Sequence, residues 1–134
     1  MQGAPADDQT VAARWADALS LLEMAAMQGL ADVQTVCGLI YAAGGRSVPQ
    51  NWTTAVKWWR KAAIAGVMEA QWYIGLCYYY VRGVDPDVAQ ANMWFRKSAA
   101  QGRLAAVEAF QSGVPRIVLH VRGHLDNFTN ADST

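Results

Sequence analysis

The sequence has no surplus of charge of either sign. Lysine and arginine number 11 against 11 aspartates and glutamates, and only 16% of the 134 residues are charged. A chain this neutral lacks the dense basic field that phosphate backbones require, so nucleic-acid binding is not expected. It also lacks the charge excess and apolar poverty of a disordered chain, since 53% of its residues are hydrophobic. Two cysteines, Cys37 and Cys77, stand far apart with no C-x-x-C, too few for a disulfide framework and wrongly spaced for a zinc knuckle. Buried free thiols acting as small apolar residues are the expectation. No apolar run approaches the ~20 residues of a membrane-crossing helix. The opening MQGAPADDQT has neither a basic stretch nor an apolar one, so the sequence is expected to carry no export signal and to be cytoplasmic.

Catalytic constellations are scarce as well. There is no glycine-rich phosphate loop and no G-x-S-x-G, and both histidines lie beyond residue 112, where neither could activate a serine or a cysteine of the preceding region. His120 and His124, with Asp126 nearby, have the i, i+4 spacing of a helical metal pair, but Gly123 and the β-rich run IVLHV argue against a helix, leaving ordinary surface histidines. Asp85 and Asp87 are read as loop and helix-capping residues rather than a catalytic pair. Neither catalysis nor a cofactor is expected.

What the sequence does have is a repeat. Gly29, Gly66 and Gly102 end the segments MAAMQG, KAAIAG and KSAAQG, 37 and 36 residues apart. Eleven residues before each glycine stands Ala18, Ala55 or Ala91. Bulky pairs occupy the same two places in each unit: Leu21 and Leu22, Trp58 and Trp59, Trp94 and Phe95. After the first two glycines, Gly38 and Gly75 open matching Gly-x-x-Tyr stretches that end at Tyr41 and Tyr78. Such a period marks a solenoid.

Each unit divides into two helices. In the second helix, Ala55, Trp59, Ala62 and Ala63 share one face at 3.6 residues per turn and form a packing stripe. Asn51 and Asp87 are placed to cap its start, with Gln90 suiting a capping box. Lys57, Arg60 and Lys61, then Arg96 and Lys97, suit the negative end of the helix dipole and are expected to form a solvated helix end. Gly29, Gly66 and Gly102 fit left-handed C-terminal caps. Gly38 and Gly75, in the middle of a helix at a cost of about 1 kcal/mol each, signal a close approach between helices.

This pattern resembles the Sel1-like repeat family, short relatives of the tetratricopeptide repeat. The second unit carries the resemblance through Ala70, Ile74, Gly75, Tyr78, Gly83, Val84, Asp87, Ala91, Trp94, Ala99 and Gly102, and departs at Val81, where the family prefers glycine. The first carries it through Gly38, Tyr41, Gly44, Val48, Ala55, Trp58, Ala62, Ala63 and Gly66. It has Val33 for alanine, Cys37 for leucine, Asn51 for aspartate and one extra residue in its inter-helix loop. The resemblance implies an all-α, right-handed solenoid of antiparallel helix pairs, about six helices in all. Its expected organisation is a flexible stretch over 1–10, a lone second helix over 11–28, repeats over 30–66 and 67–102, a partial repeat over 103–112, and a tail or cap over 113–134.

Such scaffolds bind proteins or peptides on the concave surface formed by the first helices. Carrying over the concave positions from the Gly-x-x-Tyr landmark points to Asp32, Thr35 and Leu39, with Ala42 and Ala43, in one repeat. In the next it points to Glu69, Trp72, Leu76, Tyr79 and Tyr80. Trp72 and Tyr79 suit a binding groove or the packing between helices equally, whereas Tyr80 favours the groove. The implied activity is that of an interaction module or adaptor for an unnamed protein or peptide. The alternative is a structural or regulatory subunit that self-associates through the solenoid ends, and a small metal protein or enzyme is the remote reading. Relatives in the family are often exported, which weakens the cytoplasmic assignment.

Overall fold

The computed structural model describes residues 8–45 and 47–104. Five helices follow one another in this region: α1 (Asp8–Met27), α2 (Ala31–Ala43), α3 (Trp52–Ile64), α4 (Met68–Tyr80) and α5 (Val88–Ala100). Each packs on its neighbours in the chain, with α2 against α3 and α4 against α5 as the two hairpins of an α-solenoid. The sixth helix expected over 103–112, the 113–134 tail, and His120, His124 and Asp126 lie outside the described residues, apart from the first two positions of that helix.

Local chemistry sets the helix boundaries. Asn51 Oδ1 accepts the Thr54 amide at 3.1 Å, and Asp87 Oδ1 accepts the Gln90 amide at 3.0 Å, satisfying donors that a first turn leaves open. At the other end of α3 and α5, Gly66 and Gly102 take φ of 102° and 93°. The following amides then reach back, Val67 to Ala62 O at 3.0 Å and Arg103 to Ser98 O at 3.3 Å. These are Schellman closures.

The expected packing stripe is the core. Ala55, Trp59 and Ala62 are fully buried, as are Ala70, Ile74 and Leu76 on α4 and Ala91 and Ser98 on α5. The two mid-helix glycines explain how the hairpins close. The Trp59 ring lies directly on the α2 backbone at Gly38, where an added Cβ would overlap the ring, and the Phe95 ring lies on α4 at Gly75, where a Cβ would come 2.5 Å from Cε1. The close approach is therefore ring on backbone, not backbone on backbone. Trp59 adds a hydrogen bond, its Nε1 donating to Thr35 O at 3.1 Å, and its ring stacks on Tyr73 of the next repeat at 5.0 Å. Successive hairpins are joined by a second recurring device. Gln34 Nε2 donates to Ala26 O at 3.0 Å and Gln71 Nε2 donates to Ala63 O at 3.2 Å, each reaching a terminal carbonyl of the preceding helix. Gln101 extends the second tie, donating to Gly66 O and to Gln71 Oε1 at 2.9 and 2.8 Å.

Val81 marks the departure from the repeat pattern. It ends α4 in the left-handed region, at φ 57° and ψ 65°, a conformation that β-branched side chains resist. The next residue secures the turn, the Arg82 guanidinium donating to the Tyr80 and Val81 carbonyls at 2.9 and 3.2 Å.

Two outcomes follow from these contacts. Gly75→Ala destabilises the fold by about 2–3 kcal/mol in urea denaturation, because a rigid ring leaves the methyl no space. Adding Phe95→Leu makes the double variant less destabilised than the sum of the singles. Val81→Gly raises stability by about 1 kcal/mol, the left-handed penalty less the glycine's larger unfolded-state entropy. A fall in denaturation midpoint for Val81→Gly contradicts this account.

Candidate partner-binding surface

The positions carried over from the concave face divide by depth. Asp32 is exposed, and Leu39, Glu69, Tyr79 and Tyr80 are half-buried. Thr35, Trp72 and Leu76 are buried, the last two at 1% and 0% exposure, and a side chain without surface has no area to give a partner. Each has an interior occupation. Thr35 Oγ1 donates to Ala31 O of its own helix at 3.0 Å. Trp72 packs against the Phe95 ring at 5.1 Å and lies under the Arg103 guanidinium at 5.4 Å. Leu76 belongs to the central cluster with Trp59 and Ile74. For Trp72, packing between helices is what the structure shows. The accessible aromatics are Tyr79 and Tyr80, whose rings meet edge to face at 5.0 Å at the end of α4. Burial and the neighbouring Tyr79 raise the Tyr80 phenol above its usual range.

At the junction of α1 and α2 the surface opens into an apolar hollow of about 230 Å³, lined by Trp15, Val36, Leu39, Ile40, Ala43 and Gly44. Positions 36, 39, 40 and 43 form a single helical stripe of α2. The same stripe of α4 is Tyr73, Leu76, Cys77 and Tyr80, with tyrosines at the positions that Val36 and Ala43 hold in α2. Trp15 and Val36 remain 39% and 41% exposed on the rim. Of the lining, sequence reasoning pointed to Leu39 and Ala43 and missed Trp15, Val36 and Ile40. The signal was the loss of two rings between equivalent stripes, which becomes readable once the helix facing the stripe is known.

Beside this junction, the Tyr41 hydroxyl donates to Glu23 Oε2 at 2.9 Å. Burial, the bond to Glu23 and the Glu23 charge raise Tyr41 to about 12. Cys37 and Cys77 are both free and buried. Burial, assisted by the Glu23 carboxylate, raises Cys37 to about 11, and burial raises Cys77 further. Neither thiol is a nucleophile near neutral pH. No group of three metal-ligating side chains occurs among the described residues. Among them, too, no helix is long and apolar enough to cross a membrane.

The raised acids have a consequence for pH. The unfolded Cys37 thiol ionises near 9 and the folded one near 11, so the native state holds the proton longer. Stability from this group is complete below pH 9 and is lost as pH rises towards 11. Urea melts are expected to show that decline in the natural chain and a shallower one in Cys37→Ala. An equal slope in both would remove Cys37 as its source.

Comparison with known proteins fits this architecture. The family model of the Sel1 repeat matches residues 2–30, 31–67 and 69–102. A crystal structure of a Sel1 repeat protein from Oxalobacter formigenes superposes with a TM-score of 0.67 at 39% identity, covering 71% of each chain. The crystal structure of c5321, a protective antigen of uropathogenic Escherichia coli with an SLR fold, aligns at 25% identity and a TM-score of 0.46, over 85% of this chain and 33% of that one. Among curated proteins, the Rattus norvegicus protein named DAP3-binding cell death enhancer 1 is 32% identical over 95 residues, 71% of this chain. The chain spans only 18% of that rat protein's length. With three consecutive matches to the family model over most of its length, the chain belongs to the Sel1 repeat family, a family of protein-interaction scaffolds.

Proposed function

We propose that the chain is a protein-interaction module that takes a peptide or protein segment on its first-helix surface. The hollow at the α1–α2 junction receives an apolar side chain of the partner, and the half-buried Tyr79 and Tyr80 with exposed or half-exposed Asp32, Leu39 and Glu69 offer the surrounding contacts. The observation that carries the reading is the hollow itself. It is apolar and rimmed by a partly exposed tryptophan, and it lies where α2 carries Val36 and Ala43 in place of the tyrosines of α4. An aliphatic anchor leaving water there contributes roughly 1.5–3 kcal/mol, enough to dominate a modest affinity. The name of the rat relative records binding to DAP3, which accords with a binding role without naming this chain's partner.

Self-association is the second reading, and one feature favours it. Leu21, Met24 and Met27 form a stripe along α1 with 67%, 59% and 75% exposure. Ala18, also exposed, occupies the position at which Ala55 and Ala91 are wholly buried in the following units.

One comparison separates the readings. Val36→Tyr with Ala43→Tyr copies the filled stripe of α4 into α2 and plugs the hollow while keeping the helix. In affinity capture with mass-spectrometric identification, a partner of the natural chain is expected to fall at least tenfold with the plugged variant at unchanged thermal stability. Retention at full yield removes the hollow as the binding site. Recovery of the chain's own copies alone, by both forms, transfers the interaction to the α1 stripe.

A further inference from the structure

A second cleft lies on the second-helix side of the solenoid, between α1 and α3. It is open, about 540 Å³, and lined by Glu23, Thr54, Lys57, Trp58, Arg60 and Lys61. From sequence, the basic residues here look like a solvated helix end; Lys57 and Lys61 are indeed exposed, and they stand along the wall of an open cleft. Lys61 Nζ stands 5.2 Å from the Trp58 ring centroid, and the Arg60 guanidinium lies 5.7 Å over Tyr78. Helix α3 carries no acidic residue. None of the three cations is paired with a carboxylate among the described residues. Among the described residues the one acid in the lining is Glu23, which accepts the Tyr41 hydroxyl.

We infer that this cleft binds an acidic peptide segment of a partner protein, its carboxylates on Lys57, Arg60 and Lys61 and an adjacent apolar side chain on the Trp58 ring. The geometry distinguishes this occupant from a phosphate. Phosphate sites draw on backbone amides at a helix N-terminus. Lys57 and Arg60 instead stand in the middle of α3 and Lys61 in its last turn, away from the open amides of the helix start, and Glu23 repels a dianion. Singly charged carboxylates spaced along a peptide meet the three cations separately and leave room for Glu23, while Trp58 supplies a flat apolar contact that free phosphate cannot use. Thr54 adds a neutral hydroxyl at the edge. The site is independent of the hollow, because its residues belong to α1 and α3 and none lines both.

The test is an NMR titration of the ¹⁵N-labelled chain with the peptide acetyl-Glu-Leu-Glu-Glu-Leu-Glu-amide, and with the same peptide carrying glutamine at each glutamate. The acidic peptide is expected to shift the amides of residues 54–61 and the Trp58 indole N–H, and to bind at least tenfold more weakly at 300 mM than at 20 mM NaCl. The glutamine peptide is expected to leave these signals in place. Lys57→Gln with Lys61→Gln, both exposed, weakens binding at least fivefold. Glu23→Gln, which keeps an acceptor for Tyr41, tightens it about twofold, a gain that a merely structural Glu23 would not give. The plugged Val36→Tyr, Ala43→Tyr variant binds the peptide as the natural chain does. The inference is overturned by equal binding of the glutamine peptide, by shifts that avoid residues 54–61, or by inorganic phosphate at matched ionic strength giving the same shifts at the same concentration.

Discussion

A flat ring laid on bare backbone holds this solenoid together. In each complete hairpin an aromatic residue of the second helix, Trp59 or Phe95, rests where the first helix has no side chain, at Gly38 or Gly75. Glycine there weakens the helix by about 1 kcal/mol, and the contact offsets it by burying a whole aromatic surface. The fully buried Ala55, Ala62, Ala70 and Ala91 belong to the same core cluster as the two rings. From its seat on Gly38, Trp59 also donates from Nε1 to the Thr35 carbonyl.

Between hairpins the logic is polar as well as apolar. Gln34 and Gln71 each add a second donor to a helix-end carbonyl that already accepts the amide of the capping glycine, in places where water is largely excluded. A buried glutamine without such an acceptor would be destabilising, so each tie also fixes the register of one hairpin on the next. Apolar contact alone tolerates sliding; a directional bond to one carbonyl does not. The candidate binding features lie where this repeating order lapses. The hollow occurs where two rings are missing from a stripe, and the cationic cleft where exposed basic residues of α3 stand beside Glu23 of α1.

The architecture was legible because its determinants recur. Period, stripe, Asn51 and Asp87 caps and glycine closures each appear at least twice in one register, and repetition separates signal from accident. The glutamine ties were equally visible in principle, since Gln34 and Gln71 both stand five residues after a repeat glycine, but polarity on a helix reads as exposure until the acceptor is known. Depth was less legible than register. The Gly-x-x-Tyr landmark places Trp72 on a face, yet whether that face is open depends on Phe95 and Arg103, contributed by distant sequence. Likewise, helical spacing directs Lys57 and Lys61 outward without revealing that another helix stands beyond them. The candidate site is thus a property of differences between repeats and of their neighbours, whereas the fold is a property of what the repeats share.

The ring and its glycine always belong to one unit, Gly38 with Trp59 and Gly75 with Phe95. Duplicating or deleting a whole unit by unequal recombination therefore copies or removes both halves of the contact together, and no daughter gene inherits a ring without its seat. The glutamine tie is different, since donor and acceptor sit in successive units, but any upstream unit ending in a helix carbonyl supplies the acceptor through its backbone. Array length in such genes can change in whole steps without a compensating point mutation, which leaves surface residues such as Val36 and Ala43 free to diverge from one copy to the next.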